Sequence, residues 1–443
     1  MGTVPELGDV VGLLSSLVRF DTTNWGRGQS SGELAAATWV ADQLRAVGWQ
    51  PSVLNPPDAP DRANVVLRVP GTDPTAPALL VHAHLDVVPA EPEQWSVDPF
   101  AGLVRDGFVY GRGAVDMKDM CATTLATLLS WGRTGTRPVR DVVVAFVADE
   151  EDRGECGAEW LVAEHADLFD RVVVAIGESG GSFRLLRHGD RSVRCYPVAA
   201  AERGTMHLRL TARGPSGHGS RPGATTSVSL LLDALHRLAH HPWPLHLSPA
   251  VRAHLDGVAS ALDIACDLTS DDGVLRGLDD LGEHADVSRF TVRASTTPTM
   301  INAGYKVNVI PGIAVAEVDV RCPPGFDDEL LAVLPTLIGD RVEYEFTSYS
   351  LPVSAPVDGP WFAAMREAII AADPEALVVP YCMGGGTDAK AFTPLGIACY
   401  GFAPLGEDPE GRVLAGVHGI DERVPVASVE WGARVLYDFL THA

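Results

Sequence analysis

LLVHAHLDVVP, residues 79–89, starts as an unbroken apolar run and passes directly into His82, His84 and Asp86. Three more segments repeat the design: VYGRGAVDMKD at 109–119, VVVAFVADEED at 142–152 and RVVVAIGESG at 171–180. Each begins like a buried strand and ends in a residue able to bind a metal ion or move a proton. Strands of a parallel sheet covered on both faces read as continuous apolar runs, and open α/β sheets bind ligands beyond the carboxyl ends of their strands. His84, Asp86, Asp116, Glu150, Glu151 and Glu178 therefore gather at one edge, within a stretch of under a hundred residues. So many carboxylates repel one another unless cations stand between them. The pattern implies a metal-dependent hydrolase.

Working outward, apolar positions with helical spacing fill 7–20 and 32–49, the second through Leu34, Trp39, Val40, Leu44 and Val47, with Gly48 at its end. A further helix is expected at 119–131, among strands at about 79–84, 142–148 and 171–176. Near residue 200 the pattern changes. MHLRLTARG (206–214) and IAVAEVDVRCPP (313–324) alternate apolar and polar residues, as antiparallel strands with one solvated face do. Helical stretches at 227–238 and 327–339 and the alternating VEYEFTSY (342–349) complete a β-α-β-β-α-β order, which resembles a ferredoxin-like module. Residues 240–288 read as helices inserted into it. After 355, the helix WFAAMREAIIAA (361–372) and the strand GIACYGFAP (396–404) return to the first pattern. The expected architecture is α/β: a mixed sheet flanked by helices, built from 1–199 and 353–443, with an inserted α+β lid over 200–352.

Composition narrows the classes. A chain of 443 residues has material for two or three domains. A formal charge of −24 argues against nucleic acid or an anionic membrane as partner. No apolar run approaches the roughly 18–20 residues of a membrane span, and MGTVPELGDVVGLL at the N-terminus lacks the basic start of a signal peptide. Seven scattered cysteines, an odd number without a CxxC pair, read as reduced thiols of a cytoplasmic protein.

Taken singly, each residue of the cluster has an ordinary reading. His82 and His84 share one strand face; in the HxD triplet the acid can hold the ligand imidazole's tautomer, so His84 reads as ligand, Asp86 as its partner and His82 as packing. Asp116 could equally cap the helix that follows it. Glu150 and Glu151 are adjacent and point apart, so one can bind metal while the other holds a water, yet an acidic DEED run alone is a solvated turn. Gly180 and Gly181 after Glu178 permit close backbone approach. His218, in a Gly-rich turn, is by default a surface residue. Arg321 shares the polar face of its strand with Glu317 and Asp319, the setting of a simple cross-strand ion pair. Gly384-Gly385-Gly386-Thr387 makes an ordinary flexible loop. The chain has 14 histidines, and spacing alone links none of those after residue 178 to the early cluster.

The motifs HLDVVP, GRGAVDMK, DEEDRGECGAEWL, GES, GPSGHGSRP, NVIPG, DVRCPPG, GGGTDAKAF and VHGIDERV, taken in order, span nearly the whole chain. The chain thereby resembles the dinuclear zinc amidohydrolase family of aminoacylase, acetylornithine deacetylase, succinyl-diaminopimelate desuccinylase and glutamate carboxypeptidase. WSVDPFAGLVRDGFVYGRGAVDMK (95–118) is most similar to the branch of carboxypeptidase S and the N-fatty-acyl amino acid hydrolases. The resemblance implies a zinc-exopeptidase-like catalytic fold, a lid that serves dimerisation, and two Zn2+ that Co2+ or Mn2+ can replace. It makes Asp116 the bridging ligand, with His84 and Glu178 completing one site and Glu151 and His418 the other. Glu150 becomes the general base and acid acting on a metal-bridging water, and the peptide after Asp116 is expected to be cis. His218 would reach into a partner subunit's active site, which requires a homodimer. Arg321 would clamp the substrate carboxylate with Gly386 and Thr387 nearby, and Asn308 would contact the amide or oxyanion.

The function these residues imply is hydrolysis of an amide bond beside a free carboxylate, with N-acyl-L-amino acids as substrates. A carboxypeptidase or dipeptidase acting on short peptides would use the same groups. A glycosidase needs only two carboxylates and leaves HxD and His418 without a role. A non-catalytic amino-acid-binding module would be marked by loss of Glu150 or a ligand, and every motif position is filled here.

Overall fold

The computed structural model describes residues 7–443 except 222, 409, 410 and 412. The first six residues of the expected catalytic part, and the Pro222 that closes GPSGHGSRP, lie outside the described residues. Along the chain, α1 (Val10–Val18) and α2 (Leu34–Ala46) lead into β1 (Ser52–Leu54), β2 (Asn64–Val69) and β3 (Ala78–His84). Then come α3 (Lys118–Thr134), β4 (Val142–Val147), α4 (Ala158–Glu164), β5 (Val172–Gly177), β6 (Arg184–His188) and β7 (Arg191–Glu202). The next stretch holds β8 (Gly204–Arg213), α5 (Ser227–His240), α6 (Pro249–Leu262), α7 (Asp271–Leu281), β9 (Ser295–Ala303), β10 (Ile313–Cys322), α8 (Asp327–Ile338) and β11 (Val342–Ser350). Finally β12 (Val353–Ser354), α9 (Pro360–Ala372), β13 (Ala376–Met383), β14 (Ala398–Gly401) and α10 (Val426–His442) close the chain.

The large sheet runs β6-β7-β14-β5-β3-β4-β2-β1, with β12 and β13 also paired to β7. Its centre is parallel: β14, β5, β3 and β4 run side by side in one direction. β3 and β4 are buried at every position, as continuous apolar runs require. Parallel direction is what places His84, the Asp149–Glu151 turn and Glu178 at one edge. Among the strands that escape the sequence pattern are β2, β7 and β13. The last two contain Pro197 and Pro380, residues that argue against interior strands. The two strands nevertheless pair in parallel, Pro197 against Val379 and Val198 against Pro380, with a register shift between Ala199 and Ala201.

The second sheet, β9-β10-β8-β11, is wholly antiparallel, and burial alternates along β8 and β10. α5 and α8 cover its buried face, so Leu208, Leu210, Leu230, Leu235, Leu330 and Leu334 share one core. Only Arg203 separates β7 from β8, and β12 returns to pair with Ala201 and Glu202, so both connections between the sheets lie side by side.

The inserted helices form as their periodicity indicates but do not join the lid core. Val251, Leu255, Val258 and Leu262 of α6, with Val274 and Leu278 of α7, belong to the core of the large sheet. α6 lies so close to β13 that a Cβ on Gly257 would stand 2.6 Å from Val379 Cγ1. Periodicity identifies the buried face of a helix, not the surface it meets. The seven cysteines are unpaired, and among the described residues no helix is long and apolar enough to cross a membrane.

Candidate metal centre

His84, the last residue of β3, is buried. Its Nδ1–H donates to the Asp86 carbonyl at 3.0 Å, which turns Nε2 toward Asp116 Oδ1 at 3.1 Å. The expected partnership of Asp86 with His84 is thus carried mainly by the Asp86 main chain, since the carboxylate stands at 3.6 Å. That carboxylate does something else. It accepts the backbone N–H groups of Glu150 and Glu151, each at 3.2 Å, and the Asn24 amide at 2.9 Å. Asp86 therefore fixes the turn that presents both glutamates.

Asp116 lies just before α3, and its peptide to Met117 is cis, as the resemblance implies. Oδ1 faces His84 and Oδ2 faces His418 Nε2 at 3.0 Å. Glu178 Oε2 lies 3.9 Å and Glu150 Oε2 4.0 Å from His84 Nε2, while Glu151 Oε2 is 3.4 Å from His418 Nε2. Asp149, Ser179 and His418 have φ of 67°, 71° and 59°, a left-handed conformation that L-residues adopt at a cost and that gathers at functional sites. After Glu178 the backbone passes so close to β14 that a Cβ on Gly180 would meet Gly401 O at 2.1 Å. His418 comes from the far end of the chain, and Glu422 ties its loop to Asp116. The buried Glu422 carboxylate accepts the N–H groups of Val115 and Asp116 at 2.8 and 3.2 Å and Arg112 at 2.6 Å; Arg112 also donates to the His418 carbonyl at 3.3 Å.

The cluster is short of positive charge. Burial, then neighbouring acids, push the Glu178 and Glu150 carboxyls well above their usual range. Hydrogen bonds to Asp116 and Glu151 raise His418 to about 10. Burial alone would raise Asp116, but the hydrogen bonds from His418 and His84 bring it below its ordinary value. Two sets of donors suit divalent cations. His84, Asp116 and Glu178 offer ligand atoms all within 4.8 Å of one another, and so do Asp116, Glu151 and His418. Glu151 Oε1 is buried with no hydrogen-bond partner among the described residues. Imidazole nitrogen and carboxylate oxygen are the donors that zinc and related divalent ions take, so the residues fit two ions sharing Asp116. Glu150 falls in neither set. His82 is packing, its ring 5.2 Å from that of Phe392, and burial holds its pKa down at about 3.

The cluster floors a cleft of about 380 Å³, walled by Arg203 of the link between the sheets, by Thr205, His207, Arg321 and Ser348 of the second sheet, and by Gly386, Thr387 and Lys390 from the segment after β13. Arg321 grips Asp319 of its own strand, Nε to Oδ1 at 2.7 Å and Nη2 to Oδ2 at 3.3 Å, and Nη1 donates to Thr205 Oγ1 at 2.7 Å. Glu317 pairs with Arg209 instead. Thr387 departs from its expected role, because its N–H and hydroxyl both donate to the buried Glu202, at 3.0 and 2.7 Å, and are not free for a substrate carboxylate. His218 and Asn308 do not line this cleft. They sit together on an exposed turn, with the Gly219 N–H donating to the Asn308 carbonyl at 2.9 Å. The Ser220 N–H donates to His218 Nδ1 at 3.2 Å, which puts the imidazole proton on Nε2.

Several residues that hold the site escape sequence reasoning. Asp149 reads in the sequence as part of a solvated acidic turn, yet it is buried between Arg62 at 2.9 Å and Asn24 at 3.1 Å, and Arg62 reaches Glu33 at 2.8 Å. Asp388 is buried beside Thr387, and burial pushes its carboxyl up to about 7. Asp388 and Glu422 lie inside the motifs GGGTDAKAF and VHGIDERV, where an acidic residue is itself a signal. Asn24 and Glu202 stand in no pattern.

This donor set on a mixed α/β sheet defines a dinuclear metalloprotein. Residues 80–442 match the family model of peptidase family M20/M25/M40, and the chain belongs to that family. It is accordingly a metal-dependent hydrolase of amide bonds. It is 31% identical over 392 residues to the mouse (Mus musculus) N-fatty-acyl-amino acid synthase/hydrolase PM20D1, covering 85% of this chain and 76% of that one. Aminoacylase-1 of Sus scrofa is 28% identical over 373 residues, 82% of this chain and 79% of its own. The fold matches that of an M20 family metallo-carboxypeptidase, Sso-CP2 from Sulfolobus solfataricus, with a TM-score of 0.72 at 15% identity over 98% of this chain and 99% of the other.

A ligand that binds only the folded state raises stability. Removing metal with a chelator should therefore lower the thermal midpoint of the wild-type protein, whereas Asp116→Ala should melt at one temperature with or without chelator. Elemental analysis finding two ions per chain in Asp116→Ala would contradict the shared aspartate.

Proposed function

We propose that the chain hydrolyses N-acyl-L-amino acids to a carboxylic acid and a free amino acid. The observation that carries this reading is Arg321, whose guanidinium shares one cleft with the paired donor sets. Asp319 and Thr205 engage three of its N–H groups, and a guanidinium has five, so two remain for a carboxylate. The names of the two relatives, an N-fatty-acyl-amino acid synthase/hydrolase and an aminoacylase, support the same substrate class. Asp152, which also lines the cleft, favours a second reading in which a free α-ammonium is bound and the substrate is a dipeptide.

In this reading His84, Asp116 and Glu178 hold one zinc ion and Asp116, Glu151 and His418 the other, with cobalt or manganese as substitutes. Such ions supply Lewis-acid polarisation of the scissile carbonyl and acidify water. Glu150 takes a proton from the attacking water and hands it to the leaving nitrogen; its burial favours the protonated form and so helps it retain the proton between the two transfers. Arg321 and the Gly386 backbone hold the substrate carboxylate, while Thr387 ties that loop to Glu202. Residues 1–199 and 353–443 form the catalytic part and 200–352 the lid, with α6 and α7 docked on the catalytic part. His218 and Asn308 serve the site of the other subunit in a homodimer, where the His218 Nε2–H polarises the carbonyl and Asn308 meets the amide.

A screen of N-acyl amino acids against dipeptides tests the substrate class, and faster turnover of dipeptides would overturn it. Arg321→Ala should cost about 2 kcal/mol in kcat/KM, the lower end of the range for truncating a hydrogen-bonded charge pair, since this one is partly exposed. Amidating the substrate carboxylate should cost the wild type a similar amount and the variant little. Equal hydrolysis of free acids and amides by wild type would remove the clamp.

Glu150→Gln should keep both ions while kcat falls at least about 10²–10⁴-fold, the contribution of general acid–base catalysis. Mixing that variant with His218→Ala should restore activity, because a heterodimer can assemble one intact site. Full activity from a monomer would defeat the shared site.

A further inference from the structure

Arg321 does not stand alone on its face of the second sheet. Side chains on one face of a strand recur every second residue, about 6.5–7 Å apart. Cross-strand pairing sets Thr205 between Arg321 and Ser350 in one row. In the next row His207 pairs with Ser348, and its Nε2 stands 3.6 Å from Asp319 Oδ1. All of these except Asp319 line the cleft above the paired donor sets. We infer that the row of His207 and Ser348 reads the side chain of the amino acid released, and that this side chain is polar and uncharged. The inference rests on the N-acyl amino acid reading and deepens it.

Reach comes first. With the carboxylate at Arg321 and the scissile bond at the donor sets, the substrate Cα lies between them. A side chain leaving it along the strands meets the His207 row within one row spacing, a span that glutamine or methionine covers. The next test is which wall groups are free. Arg321 spends three N–H groups on Asp319 and Thr205, and Thr387 spends both its donors on Glu202. At 3.6 Å His207 is beyond hydrogen-bond length of Asp319. Among the described residues its imidazole and the hydroxyls of Ser348 and Ser350 make no side-chain hydrogen bond. Imidazole and hydroxyl groups can both donate and accept, which suits a carboxamide or a hydroxyl. Leu351 and Met383, in the same cleft, offer apolar surface to the methylene groups before it. Charge excludes the ionised alternatives, because Asp319 beside His207 opposes an anion and Arg321, one row away, opposes a cation. Farther out the sheet closes on itself. Arg209 lies 2.8 Å from Glu317 and 3.7 Å from Glu345, so the unpaired polar groups end at His207 and Ser348.

The test is kcat/KM for N-acetyl amino acids taken as pairs of similar shape: glutamine against methionine, asparagine against leucine, threonine against valine. Wild type should favour the polar member of each pair roughly three- to tenfold, the net worth of one hydrogen bond. An apolar wall would favour the other member, since burying an unpaired amide is costly. His207→Leu and Ser348→Ala together should bring the glutamine-to-methionine ratio to one or below. Free glutamine should also inhibit wild type more strongly than free methionine and lose that advantage in the double variant. The wild-type pairs and the inhibition by free amino acids decide the matter even if the variant does not fold. Ratios of one or below in wild type, with N-acetyl substrates still hydrolysed, overturn the side-chain reading and leave the proposed function standing. A polar preference that survives in the double variant removes His207 and Ser348 from it. No hydrolysis of any N-acetyl amino acid overturns both readings.

Discussion

Crowding of negative charge out of water is the constraint on which the rest of this structure depends. Asp116, Glu150, Glu151 and Glu178 share a largely buried space with the imidazoles of His84 and His418. Carboxylates so placed attract protons or cations strongly, which is why the acids of Glu150 and Glu178 are weak and the imidazole of His418 is strongly basic. The arrangement is useless unless it is rigid, since a cation pair needs its donors held in place before it arrives.

Rigidity comes from a shell of buried polar groups drawn from distant parts of the chain. Asp86 grips the backbone of Glu150 and Glu151, Arg62 neutralises Asp149 just before them, and Asn24 bridges Asp86 to Asp149. Glu422 fastens the His418 loop to the Asp116 turn. Each tie satisfies a polar group that burial would otherwise penalise. The one-residue link at Arg203 brings the second sheet over this floor, so that the cationic wall with Arg321 and the carboxylate floor face one cleft.

Much of this was legible in the sequence because strand ends are local. The apolar runs before His84, Asp149 and Glu178 determine both their burial and their common edge, and alternation in β8 and β10 identifies a half-solvated sheet. His418 was not legible from spacing, since a loop residue with positive φ at the far end of the chain carries no periodic signal; motif resemblance alone tied it to Asp116. The strands with Pro197 and Pro380 were hidden because proline normally marks the end of a ladder. Helices α6 and α7 were legible as helices, but their docking surface depended on shape met only in three dimensions. Asn24, Glu202 and Arg62 act through single contacts, for which sequence offers no repeat to detect.

The hydrolase assignment makes the shared aspartate the pivot of the site: one oxygen toward His84 and Glu178, the other toward Glu151 and His418. Diffraction from crystals grown with zinc, recorded across the zinc absorption edge, tests that arrangement most directly. Two anomalous peaks per chain are predicted, one beside His84 and Glu178, the other beside Glu151 and His418, both in contact with Asp116. A single peak, or two peaks of which one lies away from Asp116, would contradict it.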